Sequence, residues 1–154
     1  RDQPRSRGLG DVYKRQLLDA RECEESGSFC HGDYQHHNLL CQNTTSVINF
    51  EKCALDSQMR DLYLFLRKLL EKTNWSVPLA RGLLDVYGRI SPLSAVDYLQ
   101  LYYRFAYPEK FWKIVNFYYN SRKVWIPGRH MEKLERLLIQ QGVKKAFLEQ
   151  TFSL

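Results

Sequence analysis

The sequence predicts a mixed but mainly helical domain, an α+β fold with one β-hairpin and about five helices. Three observations lead there. Two short apolar runs flank a polar turn near residue 43, apolar residues recur at three- and four-residue steps beyond residue 58, and Ser or Pro punctuates the start of each later segment. With 154 residues, 44% hydrophobic and 14% aromatic, the chain can bury a real core.

Each element follows in order. Leu17 to Ser28 is acidic, with Asp19, Glu22, Glu24 and Glu25, and reads as the end of a helix broken at Gly27. Asn38-Leu39-Leu40-Cys41 and Ser46-Val47-Ile48-Asn49-Phe50, separated by Gln42-Asn43-Thr44-Thr45, read as the hairpin. Met59, Leu62, Leu66, Leu69 and Leu70 then mark a helix that also carries Leu64 and Phe65, with Asp56 placed to cap it. Three more helices start at Ser76 before Val77-Pro78, at Ser91 before Pro92, and at Pro108 before Glu109 to Asn120. Their expected core stripes are Ala80, Leu83, Leu84 and Tyr87; Leu93, Val96, Leu99 and Tyr103; and Phe111, Val115, Tyr118 and Tyr119. A loop from Arg122 to Gly128 leads to a last helix from about Met131 to Phe152, striped by Leu134, Leu137, Leu138 and Phe147, with Gly142 as a point for a kink.

Charge is unevenly distributed. Of the formal +6, residues 1–16 carry +3, residues 17–100 carry −3, and residues 101–154 carry +6. Gly10 to Gln16 resembles a translated sequencing adapter, so residues 1–16 are expected to be an artefact without fixed structure, and 17–154 to be the domain itself. No run approaches eighteen apolar residues and no export signal is visible, so neither a membrane partner nor secretion is expected, and an intracellular setting follows. Cys23, Cys30, Cys41 and Cys53 are then reduced thiols packed as small hydrophobes.

The chemistry concentrates in Cys30-His31-Gly32-Asp33-Tyr34-Gln35-His36-His37-Asn38, where an Asp precedes an Asn by five residues just before a hairpin that runs into Ile48-Asn49-Phe50-Glu51. Phosphoryl transfer needs a carboxylate to orient an attacking hydroxyl and oxygen ligands to hold Mg²⁺ on nucleotide phosphates. At His31, Gly32, Asp33 and Asn38 the chain resembles the aminoglycoside phosphotransferase and choline kinase family, with its His-Gly-Asp-x-x-x-x-Asn loop. More narrowly, Ile48 to Cys53, the Arg60-Asp61-Leu62 run and the aromatic helices ending in Tyr107-Pro108 resemble the CotS branch of spore coat proteins.

The resemblance covers roughly Phe29 to Leu154 and implies the C-terminal lobe of a protein-kinase-like fold, without the N-terminal lobe that clamps ATP. It makes Asp33 the catalytic base, places His31 in the catalytic loop as a brace, assigns Asn38 and Asn49 to the metal and nucleotide, and makes Asp61 a structural brace. Mg²⁺ and ATP are the implied cofactors of an active form, with none expected for this fragment, and other spore coat proteins are the implied partners in the spore coat. The family's main metal ligand is an acid, and here that position is Asn49. Losing a full charge beside a divalent cation costs on the order of 4 kcal/mol. A degenerate phosphotransferase with an assembly role is therefore expected, the alternative being an active ATP-dependent phosphotransferase acting on a small-molecule or protein hydroxyl.

Two other readings are weaker. A zinc site from Cys30, His31, His36, His37, Cys41 and Cys53 lacks the paired ligand spacing that structural zinc uses. A nucleic-acid surface built on the basic C-terminal third, from Arg104 to Lys145, has no accompanying motif, and its aromatics sit at core spacing.

Overall fold

The computed structural model describes residues 28–120 and 128–152. The adapter-like segment 1–16, the acidic stretch before Ser28, Cys23 and the loop before Gly128 lie outside the described residues. Among the described residues, four three-residue strands make two small antiparallel sheets: β1 (Ser28–Cys30) pairs with β4 (Ala54–Asp56), and β2 (Leu39–Cys41) with β3 (Thr45–Val47). The expected hairpin is present with Leu40 opposite Ser46, but its second strand stops at Val47. Asn49 there takes a left-handed backbone (φ 67°) and sends the chain into a single 3₁₀ turn, Phe50–Lys52. The β1–β4 pair, absent from the sequence reading, closes the 23-residue excursion from His31 to Cys53 and so sets both ends of the loop region beside each other.

Among the described residues five helices follow: α1 (Gln58–Lys72), α2 (Val77–Ile90), α3 (Ala95–Ala106), α4 (Glu109–Asn120) and α5 (Gly128–Phe152). Their caps explain where they begin. The cap of α1 is Ser57, not Asp56: its Oγ accepts from Met59 N at 3.2 Å and donates to the buried Gln100 of α3 at 2.6 Å. Asp56 instead accepts from Ser57 N and pairs with Arg60 at 2.5 Å. Ser76 caps α2 as expected, whereas Ser91 ends it, and α3 starts one turn later at Ser94. There Ser94 and Asp97 form a reciprocal capping box, which satisfies more orphan N–H groups than a Ser-Pro start can.

Packing shifts two of the expected stripes. In α3 the buried residues are Gln100, Leu101, Arg104 and Phe105, while Val96 is exposed. Apolar residues surround most of this helix, so periodicity alone leaves its phase open, and the bulk of Phe105 decides it. In α4 Ile114 is buried while Phe111, Tyr118 and Tyr119 are exposed. Helix α5 runs unbroken through Gly142, with Phe147 buried and Leu138 exposed. The core gathers Leu62, Leu66, Leu70, Trp75, Leu84, Leu101, Phe105, Phe147 and Phe152 between α1, α2, α3 and α5. Phe105 lies 5.8 Å from Phe147 and 5.9 Å from Phe152, ring to ring. The cysteines divide: Cys30 is buried, but Cys41, on the two-stranded hairpin that leaves one face to water, and Cys53, which ends the 3₁₀ turn before β4, are exposed.

Candidate functional site

The loop after β1 is held from beneath by the first turn of α1. Asp61 accepts from His31 N at 2.6 Å and from Gly32 N at 2.9 Å, so one carboxylate satisfies two consecutive backbone donors. Gly32 must be glycine here: its φ is +76°, and a Cβ at this position would stand 2.1 Å from the carbonyl oxygen of Lys52. That close approach packs the 31–33 turn against the 3₁₀ turn of residues 50–52.

His31 is buried, and its two ring nitrogens are both engaged. Nδ1 accepts from Asp33 N at 3.2 Å, so Nε2 carries the proton and donates to Ile48 O at 2.9 Å. The imidazole therefore ties the loop to the hairpin, and its ring lies 4.7 Å from that of Phe50. A nitrogen committed on both sides is a brace and is not free to exchange a proton with substrate.

Asn38, also buried, carries the next connection. Its Nδ2 donates to Asp33 O at 2.8 Å, and its Oδ1 accepts from Asn49 Nδ2 at 2.9 Å. Asp33, Asn38 and Asn49 are thus linked through one central amide. The Asp33 carboxylate points to the open side, where Lys52 Nζ lies 2.7 Å from Oδ2 and Gln35 Nε2 donates to Oδ1. The hydrogen bond from Lys52 holds this carboxyl below its ordinary range, with Gln35 adding to it against a smaller effect of burial. Lys52 and Gln35 were not among the residues read from the sequence. The only available signal was a Lys three positions beyond Asn49, and that spacing is meaningless until Asn49 turns the chain.

The remaining polar residues are spectators. His36 and His37 are exposed, with rings 5.6 Å apart. Cys30 donates from Sγ to Asp56 O at 3.2 Å, and burial, with the nearby Asp61 and Asp56 charges, pushes its thiol up to about 11, so it stays protonated. Among the described residues no three His, Cys, Asp or Glu side chains converge as a metal cluster, and no helix is long and apolar enough to cross a membrane.

Known proteins show the same arrangement of elements. The model of the family described as "Spore coat putative kinase YutH" matches residues 12–151. Among solved structures, an aminoglycoside phosphotransferase from Alicyclobacillus acidocaldarius superposes with a TM-score of 0.77 at 22% identity, over 96% of this chain and 46% of its own. The likeness establishes a shared fold, the C-terminal lobe of a kinase-like phosphotransferase, and the chain spans just under half the length of that relative. No curated protein matches the chain significantly.

Proposed function

Because the chain belongs to the spore coat kinase family described as YutH, we propose that it is the C-terminal lobe of a degenerate phosphotransferase that serves as a scaffold in the spore coat, bound to other coat proteins. The observation that carries this reading is the state of the three residues that would hold Mg²⁺ and ATP. Asn49 replaces the acid, and its amide nitrogen occupies the Oδ1 of Asn38, the other candidate oxygen ligand. Asp33 is paired with Lys52, and the Asp61 carboxylate beneath the loop is taken up by two backbone N–H groups. Two amides and an ion pair offer a divalent cation no uncompensated negative charge, so these residues do not fit Mg²⁺. Glu51 is exposed on the 3₁₀ turn, and no described contact draws it toward Asn38.

A second reading, an active phosphotransferase acting on a small-molecule or protein hydroxyl, is favoured by a different observation. Asp33 sits on a loop braced by Asp61 and is kept ionised, as a residue that orients and deprotonates an attacking hydroxyl must be. Full-length protein incubated with Mg²⁺ and labelled ATP separates the two. The scaffold reading predicts no transfer above that of Asp33→Asn, and Mg²⁺ affinity that rises by about a thousandfold in Asn49→Asp. Asp33-dependent transfer by the unmodified protein overturns it.

A further inference from the structure

A groove of about 740 Å³ lies along the opposite stretch of α1, walled by the α3–α4 junction and by α5. It is separate from the 31–52 loop site. Asp61 braces that loop in the first turn of α1, while Glu71, ten residues or about 15 Å further along the helix, lines the groove. Its size suits a small organic ligand. Its wall along α5 is apolar, with Leu134, Leu137, Leu138 and Leu148.

The polar groups at its floor are unbalanced in a specific way. Trp75 is 6% exposed, and its indole N–H has no acceptor. Its backbone is left-handed, at φ 57°, an uncommon state for so bulky a residue, and this conformation seats the ring against Phe105 and Phe147. Arg67 gives its Nη1 to Tyr63 Oη at 3.3 Å and to Glu109, but its buried Nε–H is unpartnered. Of the groove's carboxylates, Glu109 is matched by Arg67 and Lys113, and Glu71 by Lys110 at 2.6 Å. Glu135 stands exposed at the rim. Lys144 remains. Its ammonium lies 5.4 Å over the Trp75 ring, and among the described residues no carboxylate pairs with it. Burial pushes this amine below its usual range against the attraction of Glu71, with the Arg67 and Lys110 charges adding to the downward push.

The Trp75 and Arg67 N–H groups are sealed off from solvent, so the group that a ligand in the groove can meet is Lys144, a cation without an ion-pair partner beside an apolar wall, and it calls for an acceptor that is negatively charged and attached to something greasy. We propose that this groove binds an amphipathic monoanion, with a carboxylate or phosphate monoester head at Lys144, over the Trp75 ring, and an apolar body along the leucines of α5. The head pairs with Lys144, and the body covers Leu138 and the half-buried leucines beside it, so each half of the ligand answers a separate feature of the groove.

Decanoate, decyl phosphate and decanol, titrated below their micellar range into ¹⁵N-labelled chain, test this. The Trp75 indole resonance, assigned by its loss in Trp75→Phe, reports on occupancy. One or both anions are expected to bind about tenfold or more tightly than decanol and to move that resonance, the stronger of the two identifying the head group. Lys144→Met, which keeps the length and apolar character of the side chain, is expected to bring the anions down to the level of decanol without changing decanol itself. Equal affinity for the alcohol and both anions, a Trp75 resonance that does not move, or unaltered anion binding in Lys144→Met overturns the proposal. Neither result bears on Mg²⁺ or phosphate transfer, so the scaffold reading stands or falls separately.

Discussion

From His31 to Lys52 the chain buries His31, Gly32 and Asn38 but leaves Leu40, Cys41 and Phe50 exposed, whereas beyond Ser57 it buries Leu66, Leu70, Leu101, Phe105 and Phe147 almost completely. The two regions are stabilised by different means. In the loop region each residue holds another through a directed bond: Asp61 to two amides, His31 to Ile48, Asn38 to Asp33 and Asn49. In the helical region the contacts are non-directional, and shape and volume matter more than identity. A core of this kind tolerates drift in sequence as long as bulk is kept. The loop cannot, since exchanging one donor or acceptor leaves its partner unsatisfied.

The largest effect should come from the core. Phe105→Ala removes a ring packed against Tyr63, Trp75, Phe147 and Phe152, and it is expected to cost about 3–5 kcal/mol, a large share of the stability of a domain this size. Urea unfolding followed by far-UV circular dichroism measures it. The contrast predicts that hydrogen-exchange protection falls across all the helices together. Loss confined to α3 would show that the helices do not share one core.

Gly32→Ala should cost less and act locally. The left-handed backbone penalises any Cβ, and the clash with Lys52 O forces the 31–33 and 50–52 turns apart, for a total of about 2–3 kcal/mol. Exchange at the amides of His31 and Gly32 should rise far more than exchange in α3 or α5. Equal loosening everywhere would mean that loop and bundle are one cooperative unit.

The same contrast explains which features could be read from the chain. Ser76 before Val77-Pro78 was legible because capping is settled within four residues, and so was the polar turn between Cys41 and Thr45. Ser91 misled because the competing signal, Ser94 with Asp97, differs from it only by the reciprocal bond that the folded turn makes. The β1–β4 pair was invisible: three residues show no alternation, and their partners lie 24 to 28 positions away. At the candidate site, Asp33 and Asn38 stood out through the spacing of a known loop, Asn49 through its place after the hairpin, and Asp61 through the Arg60-Asp61-Leu62 run. Lys52 did not, since its place beside Asp33 depends on the left-handed turn at Asn49, a conformation that Asn tolerates but does not announce.

The smallest predicted effect probes the loop's one exposed ion pair. Lys52 is 64% exposed and Asp33 22%, so water and salt screen their attraction, and Lys52→Met should cost about 0.5 kcal/mol. Its pH dependence is more telling than its size. Lys52 lowers the folded-state value of Asp33 below that of the unfolded chain, so the pair stabilises fully above about pH 4, the unfolded value, and the benefit disappears as pH falls through the lower folded value. Paired urea titrations of the chain and Lys52→Met should therefore differ at pH 7, converge toward pH 2–3, and also converge in about 1 M salt. Phe105→Ala should show no such convergence, because a ring in a core carries no proton to lose. A Lys52→Met deficit that persists unchanged at low pH would mean that the lysine acts through its methylene stem, and the loop would then share the non-directional packing of the bundle.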